Sequence, residues 1–152
     1  MHRLIRVLAC AAIVAVGSAR ANMGANDTAS SNPDFAAGRQ AIEAQDWAGA
    51  IAALKKAVAA EPNNADGHNW LGFAYRKSGD YDAAFSAYAE ALRLEPRHRS
   101  AREYLGEAYL ATKQLAKAEE QLAELTRLCT PIPCEEQKEL RRAIDTYKKA
   151  HP

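Results

Sequence analysis

Along residues 65–98 the apolar side chains return at intervals of three and four, first as Trp70, Leu71, Ala74 and Tyr75, then as Ala84, Tyr88 and Ala91. Residues three and four apart are neighbours on a helical surface, so each set forms one stripe. A helix is expected over about 66–77 and a second over about 81–94. Between them Ser78, Gly79 and Asp80 interrupt the pattern. Gly79 can take the left-handed conformation that ends a helix, and Asp80 can accept from the free N–H groups that begin the next. Pro96 closes the unit, because the residue before a proline is pushed out of the helical region.

The punctuation recurs 34 residues to either side, with glycines at Gly38, Gly72 and Gly106 and prolines at Pro62 and Pro96. Three units follow, at about 31–64, 65–98 and 99–132. The first keeps Ala50 and Ala57, but Ala37 and Ala41 replace the larger Leu71 and Tyr75, so its first helix is expected to be the softer end. Its turn is Gln45-Asp46-Trp47, with Asp46 as cap and Trp47 packing between helices. The third keeps Leu105, Tyr109 and Ala118, and places Leu122 and Leu125 where Tyr88 and Ala91 stand. Its turn, Lys113-Gln114, lacks both the glycine and the aspartate, so a weaker cap is expected there. A last helix over about 135–150 carries Leu140, Ile144 and Tyr147 on one stripe. Glu135 and Glu136 suit its N-terminal end, and Lys148 and Lys149 its C-terminal end. Stacked repeats need such a terminal element with a polar outer face.

The start of the chain reads differently. Arg3 and Arg6 precede the apolar run 7–16, and Ala19-Arg20-Ala21 supplies small residues around a cleavage point, so residues 1–21 have the layout of a secretory signal peptide cut after Ala21. The apolar run is too short to span a bilayer. Val7-Leu8-Ala9-Cys10 also matches a lipoprotein box, but the downstream site is preferred. Residues 22–32 are small and polar and read as a flexible leader to a folded part at 33–150. Asn26-Asp27-Thr28 fits a glycosylation acceptor, which matters only in a eukaryotic source; the compact, Ala-rich layout favours a bacterial periplasm, with secretion as the wider reading. Cleavage would remove three of the 20 Lys and Arg and none of the 19 Asp and Glu, leaving 17 against 19 and a formal charge of −2 in place of +1. Without a basic block, nucleic-acid binding has no electrostatic footprint.

Leu71, Gly72, Tyr75, Ala84, Tyr88, Ala91 and Pro96, at fixed offsets within a 34-residue period, resemble the tetratricopeptide repeat. Asp34, His68 and Arg102 stand where that family usually has a first-helix tryptophan, so the packing departs from its commonest form. The resemblance implies an all-α fold, an α-solenoid of antiparallel helix pairs wound as a right-handed superhelix. The first helix of each pair would line a concave groove that takes another protein or a peptide segment. Its groove-facing positions correspond to Phe35, Arg39, Asn69, Trp70, Phe73, Arg76, Lys77, Glu103, Tyr104 and Glu107. Trp70, Phe73 and Tyr104 would be apolar anchors, and Arg39, Arg76 and Lys77 would read acidic groups; alternatively, Trp70 and Phe73 pack against neighbouring helices. Some members grip a C-terminal carboxylate with five polar groups. Here Phe35, Trp70, Ser100 and Tyr104 occupy four of those places and only Arg39 could serve, so that specificity is not expected.

Cleavage would also remove Cys10 and leave Cys129 and Cys134, an even pair suited to a disulfide in an oxidising compartment. Their spacing is neither the C-x-x-C of redox motifs nor the C-x-x-C-H of haem attachment, and no histidine adjoins them as a metal ligand. Phosphate loops, zincin motifs and nucleophile elbows are missing, and His68, His98 and His151 are scattered. Adjacent Glu119-Glu120 and Glu135-Glu136 are expected to face solvent. No catalytic residue, metal or cofactor is therefore assigned. The leading expectation is a secreted or periplasmic adaptor that binds a protein segment. Homo-oligomeric self-association through the solenoid ends, or a thiol-dependent redox role for Cys129 and Cys134, are the alternatives.

Overall fold

The computed structural model describes residues 32–151. The expected signal peptide, the cleavage site and the leader as far as residue 31 lie outside the described residues. The described chain is a run of seven helices: α1 (Pro33–Glu43), α2 (Trp47–Ala60), α3 (Ala65–Ser78), α4 (Tyr81–Leu94), α5 (Arg99–Ala111), α6 (Leu115–Leu128) and α7 (Glu135–Ala150). Three helix pairs and a final helix form an all-α solenoid.

Local chemistry sets the boundaries. Asn32, placed in the leader by sequence, caps α1 by accepting from the Asp34 N–H at 2.9 Å. Asp46 accepts from Gly49 N–H at 2.9 Å, Asn64 from Gly67 at 3.1 Å and Asp80 from Ala83 at 3.1 Å. Gln114 makes no side-chain cap bond, as its turn led us to expect. The tight turn inside each pair is the same in all three repeats: Gln45, Gly79 and Lys113, 34 residues apart, are left-handed with φ of 57°, 89° and 60°. Only the middle one is glycine, the residue that adopts this region without a Cβ penalty.

Packing shows which side is concave. α1 touches α3, α3 touches α5 and α5 touches α7, whereas among the described residues α2 does not meet α4 and α4 does not meet α6. First helices therefore lie side by side along the inner face, and second helices splay outside. Each pair is drawn together at a first-helix glycine. A Cβ on Gly38 would sit 2.5 Å from Leu54 Cγ, and one on Gly72 2.7 Å from the Tyr88 ring. The third pair differs: the atoms against Gly106 belong to Leu140 of α7, at 2.6 Å, and not to Leu122. Leu140 is fully buried and joins Leu110, Ala118, Leu125 and Ile144 in a second apolar cluster. α7 is thus a structural member of the stack. α1 buries only Phe35, Gly38 and Ile42, against seven residues of α3, in keeping with a softer first helix.

Cys129 follows α6 and Cys134 precedes α7, with their Cα atoms 5.4 Å apart and their sulfurs within bonding distance. His98 fills a role the sequence did not suggest. It is 3% exposed, its Nδ1 accepts from the Ala101 N–H at 3.2 Å as the cap of α5, and its Nε2 lies 3.0 Å from Asp66 of the preceding repeat. An acceptor at Nδ1 puts the proton on Nε2, which then donates to Asp66.

Candidate functional site

Because α1, α3, α5 and α7 share the inner face, residues far apart in sequence meet there. Phe73, Trp70 and Tyr104 form a connected aromatic strip that Trp47 extends from the start of α2: Phe73 lies 6.5 Å from Trp47, 6.2 Å from Trp70 and 5.1 Å from Tyr104, all at steep interplanar angles. Edge-to-face contacts at these separations are favourable because the positive ring edge meets a negative ring face. Phe35, Trp70, Phe73 and Tyr104 are 2–6% exposed. The aromatic residues expected as anchors are therefore packed against neighbouring helices, and the surface offered outward is made by what covers them.

Cations cover them. Arg39 lies over the Trp70 ring at 5.0 Å, Arg76 over Phe73 at 5.2 Å and Tyr104 at 5.5 Å, and Lys77 over Trp47 at 5.8 Å and Phe73 at 5.9 Å. Each such contact contributes about 0.5–2 kcal/mol, more where water is excluded. Arg76 is the most enclosed; it pairs with Glu107 at 2.8 Å, and its buried Nε has no acceptor. Burial alone would lower its pKa, but the facing Tyr88 hydroxyl and Glu107 carboxylate outweigh that, and the guanidinium is held firmly charged. Desolvation pushes Tyr88 and Tyr104 upward, so both stay neutral phenols. Lys77 is exposed, and Arg39 is half-buried.

The opposite end of the face is acidic. Glu103, 8% exposed, feels the charges of Glu107 on its own helix and of Glu136 and Glu139 on α7. Burial and those three charges together raise its pKa to about 8, with Arg76 acting the other way. Glu136 corrects an expectation: of the pair Glu135-Glu136 only Glu135 faces solvent, and Glu136 is 6% exposed, 3.7 Å from Arg99. A helix whose polar flank docks on α5 hides that carboxylate, and sequence treated α7 only as a cap. Asn69 is likewise enclosed, with Oδ1 buried and unpaired.

A cleft of about 640 Å³ opens where α5 and α7 diverge, between Glu107 and Glu139, with Leu110, Ala143 and Tyr147 beneath. Among the described residues no group of three or more His, Cys, Asp and Glu is placed to hold a metal ion, and no helix is long and apolar enough to cross a membrane.

Two family profiles match the chain, "Tetratricopeptide repeat" over residues 75–128 and "TPR repeat" over residues 38–79. No curated protein matches it by sequence. Solved structures do match by fold. The TPR2B domain of yeast Sti1, in a pHsp70 complex, has a TM-score of 0.70 at 20% identity, covering 78% of this chain and 95% of that one. The first TPR of Spaghetti (RPAP3), bound to the HSP90 peptide SRMEEVD, gives 0.66 at 22% identity over 76% and 90%. The Yersinia enterocolitica type III secretion chaperone SycD, in complex with a peptide of the translocator YopD, gives 0.66 at 18% identity over 77% and 88%.

Proposed function

Since the chain belongs to the tetratricopeptide-repeat family, we propose that it is a protein–protein interaction module, a secreted or periplasmic adaptor or assembly factor that holds a segment of a partner protein on its concave face. The carrying observation is the aromatic strip roofed by Arg39, Arg76 and Lys77. Rigid rings fix the positions of the cationic groups above them, and pre-positioned groups lose little entropy when a partner arrives. The peptides held by the three solved relatives make this the use of the fold with the most support. Residues 1–21 support export, and the burial of Cys129 favours a structural role for the cysteine pair over thiol exchange.

The test is a pull-down from extract, comparing the protein with an Arg39→Ala, Lys77→Ala variant shown by circular dichroism to be folded. A protein retained by the first and lost by the second is the expected result. Equal recovery by both would remove function from this face, and sedimentation would then ask whether the solenoid ends self-associate.

A further inference from the structure

We propose that the cleft between α5 and α7 is an anchoring subsite for the bound partner segment, taking one bulky apolar side chain of that segment with an aspartate or glutamate beside it. This rests on the reading of the concave face given above and specifies the chemistry of its occupant.

The cleft continues the cationic surface. Glu107 lines it and is held at 2.8 Å by Arg76, the same side chain that covers Phe73 and Tyr104. A segment that follows the inner helices from Lys77 on α3 arrives next at α5 and this cleft. Its volume of about 640 Å³ lies within the range of ligand pockets, about 300–1,000 Å³. Leu110 and Ala111 of α5 and Ala143 and Tyr147 of α7 give it apolar walls. Tyr147 is fixed in place: its ring stacks on His151 at 4.2 Å, and the His151 Nδ1–H donates to the Tyr147 carbonyl at 3.0 Å. A wall ordered before binding loses little entropy when it is occupied.

Charge decides what accompanies the apolar group. The carboxylates of the cleft are matched, Glu107 by Arg76 and Glu139 by Arg142 at 2.7 Å. Glu135, 3.3 Å from Arg142, also has Lys138 at 3.4 Å. Of the buried carboxylates at this junction, Glu136 has Arg99, and Glu103, which does not line the cleft, is an uncharged acid at pH 7. Lys113 is left over. It lines the cleft from an exposed position and pairs with no carboxylate among the described residues. The surplus charge at the mouth is therefore positive, and the group that complements it is a carboxylate. Lys77 sets the same sign at the other end of the face, so the preferred segment is acidic along its length and apolar at its anchor.

The experiment selects binders from a random-peptide display library on the purified protein and measures the affinity of each for the parent and for folded variants. Expected are peptides sharing a leucine, isoleucine or phenylalanine next to an aspartate or glutamate. Alanine at the apolar position should weaken binding about tenfold or more. Ala111→Trp, which fills the cleft from an exposed position, should cost as much. Lys113→Gln should cost about two- to fivefold, and that loss should vanish for a peptide whose acidic residue is replaced by its amide. The Ala111 and Ala143 methyl NMR signals of the parent should shift as peptide is added. Peptides that lose binding on Arg39→Ala, Lys77→Ala, yet share no apolar and acidic pair, or bind Ala111→Trp and Lys113→Gln like the parent, overturn the subsite and leave the groove reading standing. Peptides indifferent to Arg39 and Lys77, or no selected peptide at all, overturn the groove reading and the subsite with it.

Discussion

Gly106 and Leu140 are in contact across the boundary between the last repeat and the final helix, so closely that a Cβ on the glycine would lie 2.6 Å from both Leu140 methyl carbons. Leu140 is fully buried and has nowhere to retreat. Gly106→Ala should therefore destabilise by about 1–2 kcal/mol, although alanine is the better helix former. Leu140→Ala should cost about 2–5 kcal/mol. Urea denaturation of both variants checks this, and unchanged midpoints would show that α7 is not part of the cooperative unit.

Trp70 is 2% exposed against Phe73 and beneath Arg39. Trp70→Ala should lose about 3–5 kcal/mol of stability. Arg39→Ala and Lys77→Ala should each cost less than about 1 kcal/mol, since their contacts are partly solvated. Thermal melts of the three variants distinguish a packing role from an anchoring one: a Trp70→Ala protein as stable as the parent would return that ring to the list of partner contacts.

The third turn holds a lysine at φ 60° and no side-chain cap on α6. Lys113→Gly relieves the left-handed penalty at the cost of a more flexible unfolded chain, for a net gain of up to about 1 kcal/mol. Gln114→Asp supplies the missing acceptor and should add about 1 kcal/mol. Denaturation midpoints of the single and double variants measure both, with additivity expected only if the adjacent changes do not interfere.

Glu103 titrates near 8 in the folded chain, above the ordinary glutamate value of 4.5. Between those values the native state binds more protons than the unfolded state. Stability from this group is complete below 4.5, declines as pH rises, and levels off above 8. Glu103→Gln removes that decline. The variant should match the parent near pH 4.5 and exceed it at pH 8.5 by roughly 1–3 kcal/mol. Parallel pH-dependent melts are the check, and a parent curve that rises through this window would contradict the buried carboxyl.

Cys129 and Cys134 flank the loop between α6 and α7. A disulfide between them would close a short loop and add about 2 kcal/mol on the chain-entropy account. Reduction, or Cys129→Ser with Cys134→Ser, should lower stability by that amount and loosen α7 first. Hydrogen exchange resolved along the chain would show the loss localised to residues 135–150.

The sequence by itself determined the helices, their order and some of their caps, because these depend on residues three or four apart: the stripe of Ala84, Tyr88 and Ala91, the aspartates at 46 and 80, and the missing cap at Gln114 were all legible. The glycines at 38, 72 and 106 marked the period of the repeat, and the family resemblance implied that the first helix of each pair lines the inner face. His98 as a cap escaped notice because histidine is uncommon in that role, although its place 34 residues after Asn64 was a usable signal. Only the tertiary structure decided what the inner face presents. Hydrophobic periodicity says which side of a helix turns inward, but it carries no information on how closely two distant helices approach there. That approach buried Trp70 and Phe73, left Arg39 and Lys77 above them, and set Arg76 on Glu107. It also brought Leu140 into the Gly106 notch, and with it the charges of Glu136 and Glu139 to bear on Glu103, an arrangement that depends on where a whole helix docks and that no local pattern in the chain encodes.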